Sequence, residues 1–250
     1  MAERRSLLLV TIMKVTANAA LLACSVAMTT ALALVVFGDA LGRQGKAAYD
    51  EIDVGRINVR EQDGSLRVVI SNQSRFPGLY FRGKEHPHPN RKTAGVLFFN
   101  EEGTENGGLT FRGRKVDGKV TSGGHLSFDR YEQDQVVQIT HDEEGERRWA
   151  GLAVNDYPDG STDLDAWERA DAMPEGPEKV AELKRLRERY GGKRRVFLGR
   201  QRDSAARLVV NDAAGHPRLL LEVAPEGAAE IRFLDAGGKV VRTETAAGRQ

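Results

Sequence analysis

The chain has 250 residues, a formal net charge of +1 and a single cysteine, Cys24. Its apolar content of 40% is concentrated at the amino end, where residues 6–37 hold 24 apolar residues in 32, so only one segment can cross a bilayer as a helix. The lone cysteine excludes a disulfide scaffold, and the formal charge of −1 over residues 38–250 leaves no basic footprint for nucleic acid.

Residues 1–14 carry Arg4, Arg5 and Lys14 and are expected in the cytoplasm under the positive-inside bias. Residues 15–37 contain no charged side chain. They exceed both the ~20 residues a spanning helix needs and the ~7–15 of a secretory signal's apolar core. A retained transmembrane helix is therefore expected, with the large domain in the periplasm or outside the cell. Ala31-Leu32-Ala33 is the string at which a cleaved leader would be cut. Leu21-Leu22-Ala23-Cys24 imitates a lipoprotein site, but mostly apolar residues follow Cys24 where a polar tether belongs. Residues 38–51 read as a linker.

From residue 52 onward, short apolar runs alternate with turn signals. Strands are expected at Ile57–Val59, Leu66–Ile70, Val96–Phe99, Leu109–Phe111, Val136–Ile139 and Trp149–Val154. Further strands are expected at Val196–Leu198, Leu208–Val210, Leu219–Val223, Ile231–Leu234 and Lys239–Arg242. All 27 glycines lie beyond residue 37, several in Asp-Gly or Asn-Gly pairs that favour hairpin turns. The spacing Arg56, Gly64, Arg67 recurs as Arg207, Gly215, Arg218, each set flanked by apolar runs, which reads as a repeated hairpin. An insert at 159–193 separates a β section over 52–158 from a second over 194–245. Within it, Ser161-Thr162 can cap a helix from Asp163 to about Met173, and Pro177 opens another that stops at Tyr190. The expected fold is mainly β. An N-terminal transmembrane helix is followed by antiparallel β-hairpin repeats, as a meander, barrel or propeller-like array, with a helical insert.

Several side-chain groupings bear on chemistry. His86 and His88 point the same way in an extended chain, but two imidazoles are too few for a metal centre; the segment reads as a proline-stiffened loop. No metal and no cofactor is assigned. Glu101–Gly108 reads as an acidic hairpin tip. In the stretch from His125 to Gln135, an extended chain puts His125, Ser127, Asp129, Tyr131 and Gln133 on one face. Glu105, Asn106, His125, Asp129, Tyr131 and Gln133 are the candidate binding residues. The alternative is an envelope hydrolase or isomerase using His125 and Asp129, with Glu105 or Tyr131 assisting. The Gly-x-Ser-x-Gly elbow of a hydrolase is missing from that stretch. The acids between Asp156 and Asp165 fail the spacing of a calcium loop. The cations of Lys184–Arg195 suit a helix carboxy end or a polyanion.

Ile57-Asn58-Val59 with Asp63-Gly64, Ile70-Ser71-Asn72 and Phe76-Pro77-Gly78 resembles one uncharacterised family of bacterial membrane-anchored or secreted proteins. So do the strings Phe99–Leu109 and His125–Gln135. The resemblance covers roughly residues 51–158, with a weaker echo through 196–241. It implies an anchored β-rich architecture and carries neither an activity nor site residues. The expectation is a membrane-tethered binding or structural module of the cell envelope. Its partners are the membrane, through the single helix, and either copies of itself or another envelope protein, since hairpin arrays expose edge strands.

Overall fold

The computed structural model describes residues 16, 18–33, 47–88, 91–246 and 248–249. The chain forms two compact units, residues 1–53 and 54–250. In the first, α1 (residues 18–33) is exposed along its length. The expected span began at residue 15 and ended at 37; residues 15, 17 and 34–37 lie outside the described residues. Among the described residues, no helix is long and apolar enough to cross a membrane.

The second unit is mainly β. Its first strands are β1 (Arg56–Arg60), β2 (Leu66–Ser71), β3 (Leu79–Phe81), β4 (Lys84–His86) and β5 (Ala94–Phe99). Four long strands follow: β6 (Glu105–Val116), β7 (Lys119–Asp129), β8 (Gln135–Glu144) and β9 (Arg147–Asp156). The insert forms α2 (Leu164–Asp171) and α3 (Pro177–Tyr190). The chain ends with β10 (Lys193–Arg200), β11 (Ala206–Asn211), β12 (Pro217–Val223), β13 (Ala229–Leu234), β14 (Val240–Thr245) and β15 (Gly248–Arg249). Among the described residues, thirteen strands make one sheet in the order β1-β2-β5 and then β6 to β15 in sequence, while β3 and β4 pair separately. The architecture is therefore an open antiparallel meander, not a barrel or a propeller. β9 pairs directly with β10, so the sheet is continuous across the helical insert.

One turn type explains the repeat. In a five-residue turn, the first residue's N–H donates to the fifth residue's carbonyl and its carbonyl accepts from the fourth residue's N–H. This occurs at Glu61–Ser65, Asn100–Thr104, Arg130–Asp134, Gln201–Ala205, Asp212–His216, Ala224–Ala228 and Asp235–Lys239. The fourth position takes positive φ in six of the seven, as in a type I turn closed by a bulge: it is glycine at 64, 103, 215, 227 and 238 and Ser204 (φ 72°) in the Gln201–Ala205 turn. In the Arg130–Asp134 turn the third residue, Glu132 (φ 49°), is the left-handed one. Asn100, Asp212 and Asp235 lock the first position by accepting two further N–H groups on the side chain. The Arg-to-Gly spacing seen in the sequence belongs to this general hairpin unit.

The helical insert keeps to its expected place, with one shift. The cap of α2 is Asp163, whose carboxylate accepts from Ala166 N–H at 2.9 Å. Thr162 instead accepts from the indole N–H of Trp167 at 3.2 Å. Ala166, Ala170 and Leu186 bury the contact between the two helices.

Register sorts the side chains of the sheet into two faces. On one, Ile57, Ile70, Val96, Leu109, Leu126, Ile139, Leu152, Leu198, Leu208, Leu221 and Ile231 stand directly opposite one another from strand to strand. Two residues along, Phe98, Phe128, Val137, Val154, Val196, Val210, Leu219 and Phe233 form a second row, with Gly107 between the two phenylalanines. The other face runs Val69, Leu97, Gly108, Ser127, Gln138, Ala153 and Phe197. Its buried Val69, Leu97 and Phe99 meet Phe76 and Tyr80 from the segment between β2 and β5. The Tyr80 ring stands edge-on to Phe99, with centroids 5.2 Å apart.

Candidate functional site

Three turns and the helical insert meet at one end of the covered face. The Arg82-Gly83 turn joins β3 to β4, with φ of 49° and 76°, the pattern of a tight hairpin. Gly83 N–H donates to Gly103 O at 3.1 Å, and Arg82 N–H donates to Thr104 Oγ1 at 2.9 Å. A Cβ on Gly103 would sit 2.9 Å from Gly83 Cα, so the turn at 100–104 nests against the hairpin only with glycine at 103. The Arg82 guanidinium donates to Glu132 Oε1 at 2.5 Å and to Oε2 at 2.7 Å. Ser161 donates its hydroxyl to the same carboxylate, and Thr162 N–H donates to Glu132 O at 2.9 Å. Glu132 is thus 4% exposed in a turn position that favours glycine. The Arg82 and Ser161 hydrogen bonds hold its carboxyl down to about 2. On the far side of the hairpin, His86 is buried, with Nδ1 2.6 Å from Glu168 Oε1 on α2.

Beside these ties lies a cavity of about 540 Å³, within the usual size for a small-molecule site. Tyr80, Phe81, Tyr157, Trp167 and Tyr190 supply aromatic walls, and Arg91, Glu105, Asp129, Gln133, Asp134 and Gln135 supply polar groups. Arg91 grips Glu105 in a bidentate pair, both bonds 2.8 Å. Asp129 differs: its Oδ1 is buried without a hydrogen-bond partner. Burial first, then the carboxylates of Glu105 and Asp134, push its carboxyl up to about 8, with Arg91 opposing. Burial, followed by Asp134 and Asp129, likewise raises the Tyr157 hydroxyl. Burial and Arg91 lower the imidazole of His88, another wall residue, so it is neutral at pH 7. A Cβ on Gly192 would come within 2.6 Å of the Tyr157 ring, so the chain entering β10 must be bare there. At neutral pH the cavity therefore presents a protonated carboxyl beside an ion pair among aromatic rings. It can hold a small molecule with an apolar face and hydroxyl or amine groups.

Of the residues expected from the sequence, Glu105, Asp129 and Gln133 line this cavity, and Asn106, His125 and Tyr131 do not. The reason is local. The register slips between Phe128 and Asp129, and the chain then enters the turn at 130–134. The single extended face expected from 125 to 133 therefore ends at Asp129. Tyr131 is 57% exposed and donates its hydroxyl to Glu102. Gln133 donates to Gly160 O at 2.6 Å. His125 lines a separate recess of about 190 Å³ with Thr110 and Thr140, its Nδ1 2.9 Å from Thr140 Oγ1. Sequence reasoning did not select Tyr80, Arg91, Tyr157, Trp167 or Tyr190. Three of the chain's five tyrosines are among the wall residues, and their proximity to turns was the available signal. Among the described residues, no group of three His, Cys, Asp or Glu has the geometry to hold a metal ion.

Compared with known proteins, the chain matches no family model, no curated protein and no solved structure.

Proposed function

We propose that this protein is a non-catalytic binding module of the cell envelope, tethered by its N-terminal apolar segment. Its N-terminus is cytoplasmic and its β unit is periplasmic or extracellular. The observation that carries the binding reading is the buried, unpartnered carboxyl of Asp129 in a cavity of ligand size. A polar group left unsatisfied in a native interior is a standing invitation to a ligand that satisfies it. The tether reading rests on the uncharged stretch 15–37. It is supported by Ser25, Thr29 and Thr30, whose hydroxyls donate to carbonyls of their own helix at 2.7–2.8 Å, as hydrocarbon surroundings require. The hydrolase or isomerase alternative needs His125 and Asp129 around one pocket; their placement in separate recesses supports the non-catalytic reading.

The ligand class is a small polyol or amino-polyol. Glucosamine, which carries hydroxyls, an ammonium group and a pyranose ring with an apolar C–H face, is a suitable probe. In a full-length chain with Trp149→Phe, the remaining indole is Trp167 in the cavity wall. Glucosamine is expected to change its emission saturably, and Asp129→Ala to abolish the change. No change at any concentration up to the solubility limit refutes the assignment of this ligand class.

A further inference from the structure

Among the described residues of the second unit, the apolar face of the sheet is largely open, with the Arg242 guanidinium over the Phe233 ring at 5.0 Å. Phe128, Ile139, Leu198 and Leu221 are 50%, 49%, 54% and 40% exposed, and neither hydrophobic core cluster includes a residue of its two rows. Eleven strands about 4.8 Å apart make this face roughly 50 Å long, and two side-chain rows make it about 15 Å wide, an area on the order of 750 Å². The largest apolar patch on an ordinary monomer is ~300–600 Å², whereas each partner in a stable complex contributes ~800 Å². The match is to an interface half. An antiparallel sheet with apolar rows along its second face also has the pattern of one layer of a sandwich.

We infer that a second copy of this chain covers the face, the two apolar rows packing against their own counterparts about a two-fold axis. The same register carries Glu143 and Arg148 on β8 and β9, and Arg242 and Glu244 on β14, to the margins of this face, and the two apolar rows between them can meet their own counterparts in an isologous interface. The dimer uses the sheet face, not the edge strands, and is independent of the ligand cavity.

The test uses the full-length chain in liposomes of neutral lipid, with Cys24→Ser and a nitroxide on Leu198→Cys or, as a second site, Ile139→Cys. Pulsed dipolar spectroscopy is expected to give a short interspin distance, set by sheets ~10 Å apart plus two label arms. That signal is expected to disappear when unlabelled chain is added in excess. A label freely accessible to a water-soluble relaxant, with no interspin distance, overturns the proposal. A label immersed in lipid overturns it in favour of the bilayer. A label shielded from both and unaffected by dilution overturns it in favour of the chain's own N-terminal segment.

Discussion

The part of the sheet from β2 to β9 and the part from β11 to β14 are built from the same hairpin turn, yet only the first carries a site. In the second part the turns at 212–216, 224–228 and 235–239 have glycine at the left-handed position, and the covered-face residues Val209 and Leu220 are only half-buried. In the first part, Val69, Leu97 and Phe99 are overlaid. One turn there holds a non-glycine residue, Glu132, in the left-handed conformation, buried beneath Arg82. A left-handed non-glycine residue costs ~1–2 kcal/mol, so it persists where other contacts over-determine it. The contrast suggests that the overlay, and not the sheet, converts a repetitive ladder into a place able to hold something.

The sharpest way to break this comparison is to remove equivalent side chains from both parts. Leu97→Ala is expected to cost about 3 kcal/mol and Leu220→Ala about 1 kcal/mol in chemical unfolding; equal losses would mean that the overlay adds nothing.

Glu132 makes the difference pH-dependent. Its folded pKa is depressed to about 2, so its contribution is fully present above the unfolded value of ~4.3 and is lost as pH falls through the folded one. Glu132→Gln should flatten the acid limb of stability between those values. Ser204→Ala, at the left-handed residue of the Gln201–Ala205 turn, should leave it unchanged.

Asp129 has the opposite sign. Its folded pKa is raised to about 8, so its contribution is complete below ~3.9 and is lost as pH rises through the folded value. Asp129→Asn should remove a fall in the unfolding midpoint across that interval.

The smallest effect is expected at the His86–Glu168 contact. Glu168→Ala should cost about 1 kcal/mol and increase amide exchange in β4 more than in β12.

Much of the ladder was legible in the sequence because each hairpin advertises itself locally. Alternating apolar residues and an Asp or Asn ahead of glycine are enough to place Leu208–Val210 and Leu219–Val223. Only pieces of the long β6 and β7 were legible, Leu109–Phe111 and the extended stretch from His125, because Gly107, Gly108, Gly123 and Gly124 dilute the apolar pattern. β3 and β4 are three residues each, too short for periodicity to register. The candidate site was half legible. Asp129, Glu105 and Gln133 stood out as polar residues in a strand-like stretch. What brings Arg91, Tyr157 and Trp167 beside them is the folding of a hairpin and two helices onto the sheet, which no local spacing encodes. Tyr131 was misplaced for the same reason that Glu132 was overlooked: a turn at 130–134 lies where an extended strand was expected.

The most direct test is the titration of the Asp129 side-chain carboxyl, followed by carbon NMR in the full-length chain with and without glucosamine. The account predicts a midpoint near 8 in the free protein, displaced when the probe is added. A midpoint near the ordinary ~3.9, unchanged by the probe, would contradict a ligand site built around this buried carboxyl.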